Sequence, residues 1–164
     1  MPLSLSNIHR SMILARHLPI ALPAIHAALF LLTIISGEKT ASGGNPFFCV
    51  DLPLSLPLVA RDDAATFAAV AVLGTAWWFF VGQIGSSSSR GKLSRTGSGL
   101  GALLILSVCA AGFFALISEF LLISREVNFS DVNVAIYVLA VALLLGGLIS
   151  AGFSVTAGLG LTRD

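Results

Sequence analysis

The stretch that decides the fold is VNVAIYVLAVALLLGGLISAGFSVTAGLGL, residues 132–161. It runs for thirty residues without a charged side chain, and Asn133 is its only strongly polar residue. At about 1.5 Å per residue, a helix of this length exceeds the ~30 Å hydrocarbon layer of a bilayer. Water would not accommodate so much apolar surface on one exposed helix. The stretch therefore predicts a transmembrane helix.

The same stretch carries small side chains at every fourth position, namely Gly146, Ser150, Ser154 and Gly158. Residues four apart lie on one face of a helix. Lipid tails are as apolar as leucine, so helices in a bilayer associate through close packing, which small residues permit. We therefore expect these four residues to form a helix-packing face.

The composition of the whole chain indicates the same class of protein. The chain is 56% hydrophobic and 10% charged, with a mean hydropathy of +0.96. A soluble domain carries about 25% charged residues. The formal net charge of +1 provides no basic surface, so a nucleic-acid partner is not expected. The lipid bilayer is the expected partner, and residues 1–164 are predicted to form a single membrane-embedded domain.

Three further apolar runs precede the last one, and together they predict an all-α membrane protein with a four-transmembrane-helix bundle. The predicted spans cover about residues 18–36, 64–84, 100–124 and 132–161. The basic residues before the first run also fit a cleaved signal peptide. The long leader and the length of the run argue against cleavage.

The orientation follows from the distribution of lysine and arginine. Six of these residues lie on the side that holds both termini and the 85–98 connector, and three lie on the other side. The positive-inside rule then predicts that both termini are cytoplasmic and that the long 37–63 loop between helices 1 and 2 is outside. We expect a multi-pass protein of the plasma membrane, which in a bacterium is the inner membrane.

The 37–63 loop contains an apolar run that Asp51, Pro53 and Pro57 interrupt. It is too short and too broken to span the bilayer. It could lie as a surface cap over the bundle, or it could enter between the helices as a re-entrant segment. Irregular backbone inside a membrane is tolerated only where protein or water satisfies it. We expect the cap.

Ionisable side chains within the spans are candidates for function because their burial is costly. His26 lies near the middle of the first span, and Glu119 lies near the outer end of the third. Their depths differ by about 10 Å, which argues against a direct pair. We expect His26 to bond to a backbone carbonyl or a serine, with proton relay or ligand binding as the alternative. Glu119 is expected to pair with Arg61 or Arg125, with Asp51 in the same outer polar cluster.

The second span ends in Trp77 and Trp78, which predicts interfacial anchors, because tryptophan favours the membrane–water boundary. A cradle for a lipid or quinone is the alternative. The two cysteines, Cys49 and Cys109, are too few for a redox or metal framework. The sequence predicts no catalytic residue, no cofactor-binding residue and no metal site.

Three classes of function are compatible with this pattern. The expected one is a structural or accessory subunit that packs by its small-residue face on a membrane-protein partner or a second copy of the chain. The alternative is a component of an oligomeric transporter of ions, protons or small molecules, with His26, Glu119 and Asp51 along the path. The third is a membrane-embedded enzyme acting on lipid or quinone, against which the lack of a nucleophile–base or metal constellation argues.

Overall fold

Four long helices and one short helix make up the protein. The computed structural model describes residues 5–35, 46–51, 55, 64–123 and 131–161. The helices are α1 (Leu5–Ile35), α2 (Pro46–Val50), α3 (Ala64–Ser89), α4 (Arg95–Ile123) and α5 (Asp131–Gly158), and the described residues contain no strand. All but α2 are long and apolar enough to cross a membrane. The chain is therefore an all-α, multi-pass membrane protein with a four-helix bundle, as the sequence predicts.

The outer surface of the bundle is apolar, as a lipid environment requires. Phe114 on α4 is 76% exposed and Ile20 on α1 is 71% exposed. Further large apolar side chains, among them Val72 and Val138, face outward in the same way. The helices must therefore pack together through something other than a contrast between apolar and polar faces.

Helices α1, α3 and α4 each extend beyond the predicted span at one end, whereas α5 ends at Gly158, three residues before the predicted end. Pro19 and Pro23 lie inside the 31-residue α1 rather than in its first turns. The C-terminal end of α3 lies at Ser89, and Gly91 follows it with a φ of 63°. In this conformation the backbone amides of Gly91 and Lys92 bond to the carbonyls of Ser88 and Ser87. This is the Schellman arrangement that satisfies free carbonyls at a helix end.

The packing of the helices differs along the bundle. Helices α1, α3 and α5 pack on one another, α4 packs mainly on α5, and α2 packs on α4, α5 and α1. We call the half that contains α2, the end of α1 and the start of α3 the re-entrant half. The close-packed half contains the start of α1, the end of α3, the start of α4 and the end of α5.

Small residues bring the backbones together in the close-packed half. A Cβ added to Gly82 of α3 would lie 2.7 Å from the carbonyl carbon and oxygen of Leu18 in α1. A Cβ on Gly85 would overlap the Ser150 hydroxyl of α5. Neither helix could approach so closely with a larger residue at these positions.

The small-residue face of α5 is covered by the chain's own helices. Gly146 lies against Leu22 of α1, and Gly158 lies against Gly99 of α4. Ser150 donates a hydrogen bond to the Val81 carbonyl of α3, and Ser154 shares a hydrogen bond with Ser88 of α3. This face is therefore not free to receive a partner protein.

Candidate functional site

The segment from Pro46 to Asp51, which we call the re-entrant segment, enters the bundle between the long helices. Phe47, Val50 and Asp51 are fully buried. The Cys49 carbonyl lies over α4, where a Cβ on Gly112 would be 3.2 Å from its oxygen. The expected surface cap is therefore wrong for these residues. Gly74 on α3 and Gly112 on α4 leave room for the segment.

Local hydrogen bonds satisfy the polar backbone of the re-entrant segment, as a position inside a membrane requires. The Ser55 amide donates to the Asp51 carbonyl at 3.1 Å. The Ser55 hydroxyl donates to the Phe48 carbonyl at 2.8 Å. These two bonds close the short helix α2 and position the Asp51 side chain.

The Asp51 side chain meets His26 of α1 inside the bundle. Asp51 Oδ2 lies 2.8 Å from His26 Nε2, and both side chains are fully buried. His26 is about 13 Å along the helix axis from Ile35, where α1 ends. The prediction of a carbonyl or serine partner for His26 missed this carboxylate, because the two residues are 25 positions apart and no helical period links them.

Helix α3 supplies the rest of the site from three neighbouring positions. Gly74 has no side chain, and a Cβ there would overlap the Asp51 carboxyl group. Trp78 donates its indole N–H to Asp51 Oδ1 at 3.2 Å. Thr75 Oγ1 lies 2.9 Å from His26 Nδ1 and donates to the Ala71 carbonyl at 2.7 Å. Residues one turn apart share a helix face, so Gly74 and Trp78 both lie next to the Asp51 carboxyl group.

Trp78 is fully buried, which corrects its assignment as an interfacial anchor. The partner of its indole N–H is the Asp51 carboxyl group rather than water or a lipid headgroup. Trp77 is partly buried, and its indole nitrogen has no hydrogen-bond partner among the residues that the structure describes. Its role as an anchor stays a prediction.

The hydrogen bonds around His26 determine how many protons the site holds. Thr75 has one hydroxyl hydrogen, and the Ala71 carbonyl accepts it, so His26 Nδ1 must be the donor to Thr75. A second proton must then lie between Nε2 and Asp51 Oδ2 to make the 2.8 Å contact a hydrogen bond. It belongs either to a neutral Asp51 or to a charged His26. In both forms the pair has no net charge.

Burial favours the form in which Asp51 carries this proton. Removal from water raises the pKa of the Asp51 carboxyl above its usual range, while the hydrogen bonds and charge of His26 and the hydrogen bond from Trp78 act in the opposite direction. The Cys49 thiol in the same segment is different. Burial, helped by the charge of Glu119, raises the pKa of Cys49 to about 12, so it remains a protonated thiol.

A cluster of four phenylalanines lies on one side of the pair, and one of them, Phe47, contacts His26. The Phe47 ring lies 5.2 Å from the His26 ring. Phe30, Phe48 and Phe67 surround Phe47 at 5.4–5.6 Å. In such surroundings a net charge is costly, and the position of a single proton has large consequences.

Glu119 does not join this site. It is partly buried on α4, and the described residues provide no ion pair for it. Its predicted partners, Arg61 and Arg125, lie outside the described residues. Within the described ranges, no three histidine, cysteine or acidic side chains are placed to hold a metal ion.

The site and the fold together define a class: a multi-pass helical membrane protein with a histidine–aspartate pair inside its bundle. No protein-family model, curated protein or solved structure matches the chain. The sequence signals that could have revealed the site were Gly74 and Thr75, a small and a polar residue adjacent inside an apolar run. The function is argued below from this geometry.

Proposed function

We propose that this protein binds and releases a proton at the His26–Asp51 pair as part of proton-coupled transport across the membrane. One observation carries the proposal: two ionisable side chains, fully buried in the bundle, lie 2.8 Å apart, His26 Nε2 against Asp51 Oδ2. Ionisable groups at such depth are costly, pair with one another and mark proton relays in pumps and transporters.

A purely structural tie would not need ionisable groups. Replacing a buried ion pair by well-packed apolar side chains is often neutral or stabilising. Histidine changes its protonation near physiological pH, whereas an amide or hydroxyl in its place would not. The use of a histidine and a carboxylate here therefore supports a role in proton exchange.

The other two candidate functions receive less support from the structure. The accessory-subunit hypothesis rested on the small-residue face of α5, which the chain's own α1, α3 and α4 cover. A membrane partner or a second copy would dock elsewhere, for example on the apolar groove of about 520 Å³ that Phe113 and Phe120 of α4 and Val138 of α5 line.

Nucleophilic catalysis needs an activated nucleophile, and the candidates near the His26–Asp51 pair, Cys49 and Ser55, are not activated. The Cys49 thiol is held in its protonated form by burial. The Ser55 hydroxyl donates to the Phe48 carbonyl instead of to a base. A nucleophile of either type requires an adjacent base or a lowered pKa.

The proposal is tested by a titration that needs no known substrate. Infrared difference spectra of the purified protein in detergent, recorded from pH 5 to pH 10, should show a protonated carboxyl band that disappears as the pH rises. The band should be absent in Asp51→Asn and unchanged in Ser107→Ala, which removes an exposed hydroxyl of α4 that bonds to the Leu103 carbonyl of its own helix. The asparagine amide can donate to His26 Nε2 and accept from Trp78, so this variant should keep its fold.

Proton flux into liposomes containing the protein provides the second readout. With an imposed membrane potential and a pH dye inside, Asp51→Asn and His26→Gln should each lower the flux at least tenfold relative to Ser107→Ala. A carboxyl band that does not change with pH, or an Asp51→Asn variant that conducts protons like the native chain, would contradict the proposal.

For the orientation we propose cytoplasmic termini and a plasma-membrane location, on the support of the lysine and arginine distribution. Cys49 is too buried to report it. Lys92→Cys lies on an exposed turn after α3 and can be made with both native cysteines replaced by alanine. It should react with a membrane-impermeant maleimide after lysis but not in intact cells. Labelling in intact cells would reverse the orientation.

A further inference from the structure

The Thr75 hydroxyl contacts the histidine nitrogen that faces away from Asp51. It lies 2.9 Å from His26 Nδ1 and is bonded to the Ala71 carbonyl of its own helix. We infer that Thr75 is a positioning residue that sets which nitrogen of His26 carries a proton, and that its hydroxyl rotates when the pair loses one. The inference deepens the proposed function, on which it rests.

In the proton-loaded state, both protons of the site are present: one on His26 Nδ1 and one between Nε2 and Asp51. The heavy-atom distances fit this state. The Nδ1–H of His26 donates to Thr75, the Thr75 hydroxyl donates to Ala71, and the shared proton bridges Nε2 and Asp51. The Trp78 indole occupies the second carboxyl oxygen. Every polar atom of the pair therefore has a partner, and the site is neutral.

Loss of one proton to water leaves a single proton for the two histidine nitrogens. With that proton on Nδ1, the Nε2 lone pair would face the negative Asp51 oxygen at 2.8 Å. With it on Nε2, the ring donates to the carboxylate and leaves a lone pair on Nδ1. A rotation of the Thr75 hydroxyl away from Ala71 then supplies the donor for Nδ1.

The rotation costs little because the Ala71 carbonyl keeps its ordinary helical hydrogen bond from the Thr75 amide. Threonine can therefore accept in one state and donate in the other, since a hydroxyl has both capacities. A backbone carbonyl at this position could only accept and would hold His26 in the loaded form. The residue type is what allows the site to exchange a proton without breaking its contacts.

Other ionisable groups on the surrounding elements are few. Besides Asp51, the re-entrant segment carries Cys49, and α1 carries His9, Arg10, Arg16 and His17. Helix α4 carries Arg95, Cys109 and Glu119, and α5 carries Asp131 and Tyr137. Helix α3 has no ionisable side chain. The side chains of His26 and Asp51 bond to each other, to Thr75 and to Trp78. The proton balance of the site therefore depends on His26, Asp51 and the two α3 side chains that bond to them.

Nitrogen NMR of the histidine ring tests the inference directly. The chain has three histidines, so His9→Gln and His17→Gln leave His26 as the only labelled ring. The ¹⁵N shifts distinguish protonated from unprotonated ring nitrogens. In the native site at low pH, Nδ1 should be protonated, and at high pH the proton should be found on Nε2.

Thr75→Val removes the hydroxyl at nearly constant volume. A buried N–H without an acceptor is worse than an unused lone pair, so the protonated Nδ1 signal should be lost at a pH where the native site shows it. Thr75→Ser should retain the native pattern. Thr156→Val is the matched control, because Thr156 bonds to the Gly152 carbonyl of its own helix at 3.1 Å and lies near the end of α5.

Two outcomes would overturn the inference: a protonated Nδ1 that persists in Thr75→Val, or the same change in Thr75→Ser as in Thr75→Val. Thr75→Ala provides the same test if the valine variant does not fold. Failure of the proposed function has a different signature. It would appear as native His26 signals that do not change with pH, while Thr75→Val still alters the tautomer.

Discussion

The two halves of the bundle solve the problem of packing apolar helices in opposite ways. In the close-packed half, Gly82 and Gly85 bring α3 into backbone contact with α1 and α5. In the re-entrant half, the re-entrant segment packs on α4, α5 and α1, and Gly74 of α3 leaves room for its Asp51 side chain. The first half contains serine hydroxyls bonded to carbonyls or to each other, and the second contains the His26–Asp51 pair.

The difference shows what glycine does in each setting. In the close-packed half, the absence of a side chain admits another helix, whose backbone cannot yield. At Gly74 it admits the carboxyl group of Asp51, the end of a side chain on a short segment. One half therefore provides a rigid clamp, and the other provides a polar site whose occupant can change its position or protonation.

The largest effect is expected where backbone meets backbone. A methyl group at Gly82 would lie 2.7 Å from the Leu18 carbonyl and the Pro19 Cα, so Gly82→Ala must separate α1 from α3. We expect a loss of about 3 kcal/mol in the free energy of unfolding, despite the gain of up to about 1 kcal/mol in helix propensity. Unfolding by denaturant in a bicelle provides the measurement.

Gly152→Ala is the matched control for this variant, because a Cβ at Gly152 meets nothing within 4 Å. It should be neutral or slightly stabilising. Equal stabilities of the two variants would contradict the assignment of a rigid clamp to the close-packed half.

The same substitution in the re-entrant half should have a smaller effect on stability and a larger one on access. Gly74→Ala would displace the Asp51 carboxyl, which can move with its segment, so we expect a loss of about 2 kcal/mol. Cys49, which is buried in the native protein, should then react with a membrane-permeant maleimide in a Cys109→Ala background. Unchanged Cys49 reactivity, measured by mass spectrometry, would show that the segment is as rigid as the clamp.

The sequence predicted the bundle because each span carries its own signal. Thirty uncharged residues can be recognised without reference to any other part of the chain, and the stripe from Gly146 to Gly158 has a helical period. The contact between Asp51 and His26 has no such local signal. Asp51 meets His26 only because Gly74 and Gly112 leave room for the re-entrant segment, and a glycine in a sequence does not say what approaches it. The prediction that Trp78 is an interfacial anchor was wrong for a related reason, because its indole N–H donates to Asp51 inside the bundle.

The stability of the native protein should depend on pH through Asp51. Burial raises the pKa of this carboxyl in the folded state, so its contribution is fully present below the ordinary carboxyl pKa and is lost as the pH rises through the raised value. We therefore expect the free energy of unfolding to decrease across that range. Asp51→Asn should remove this dependence and Ser107→Ala should retain it, in thermal unfolding followed by circular dichroism from pH 4 to pH 9. An identical pH dependence in Asp51→Asn would assign it to another group.

The smallest expected effect is the difference in stability between phenylalanine variants of two adjacent tryptophans, Trp77 and Trp78. Trp78→Phe removes the indole N–H that donates to Asp51 Oδ1 at 3.2 Å and should cost about 1 kcal/mol in the free energy of unfolding. Trp77→Phe should cost less than about 0.5 kcal/mol, because the Trp77 indole nitrogen has no partner among the described residues. The two variants remove the same atoms from the same helix, so their difference isolates the hydrogen bond to Asp51 from the loss of ring volume. Equal costs in denaturant unfolding would mean that the bond contributes nothing, and that His26 alone positions the carboxyl group.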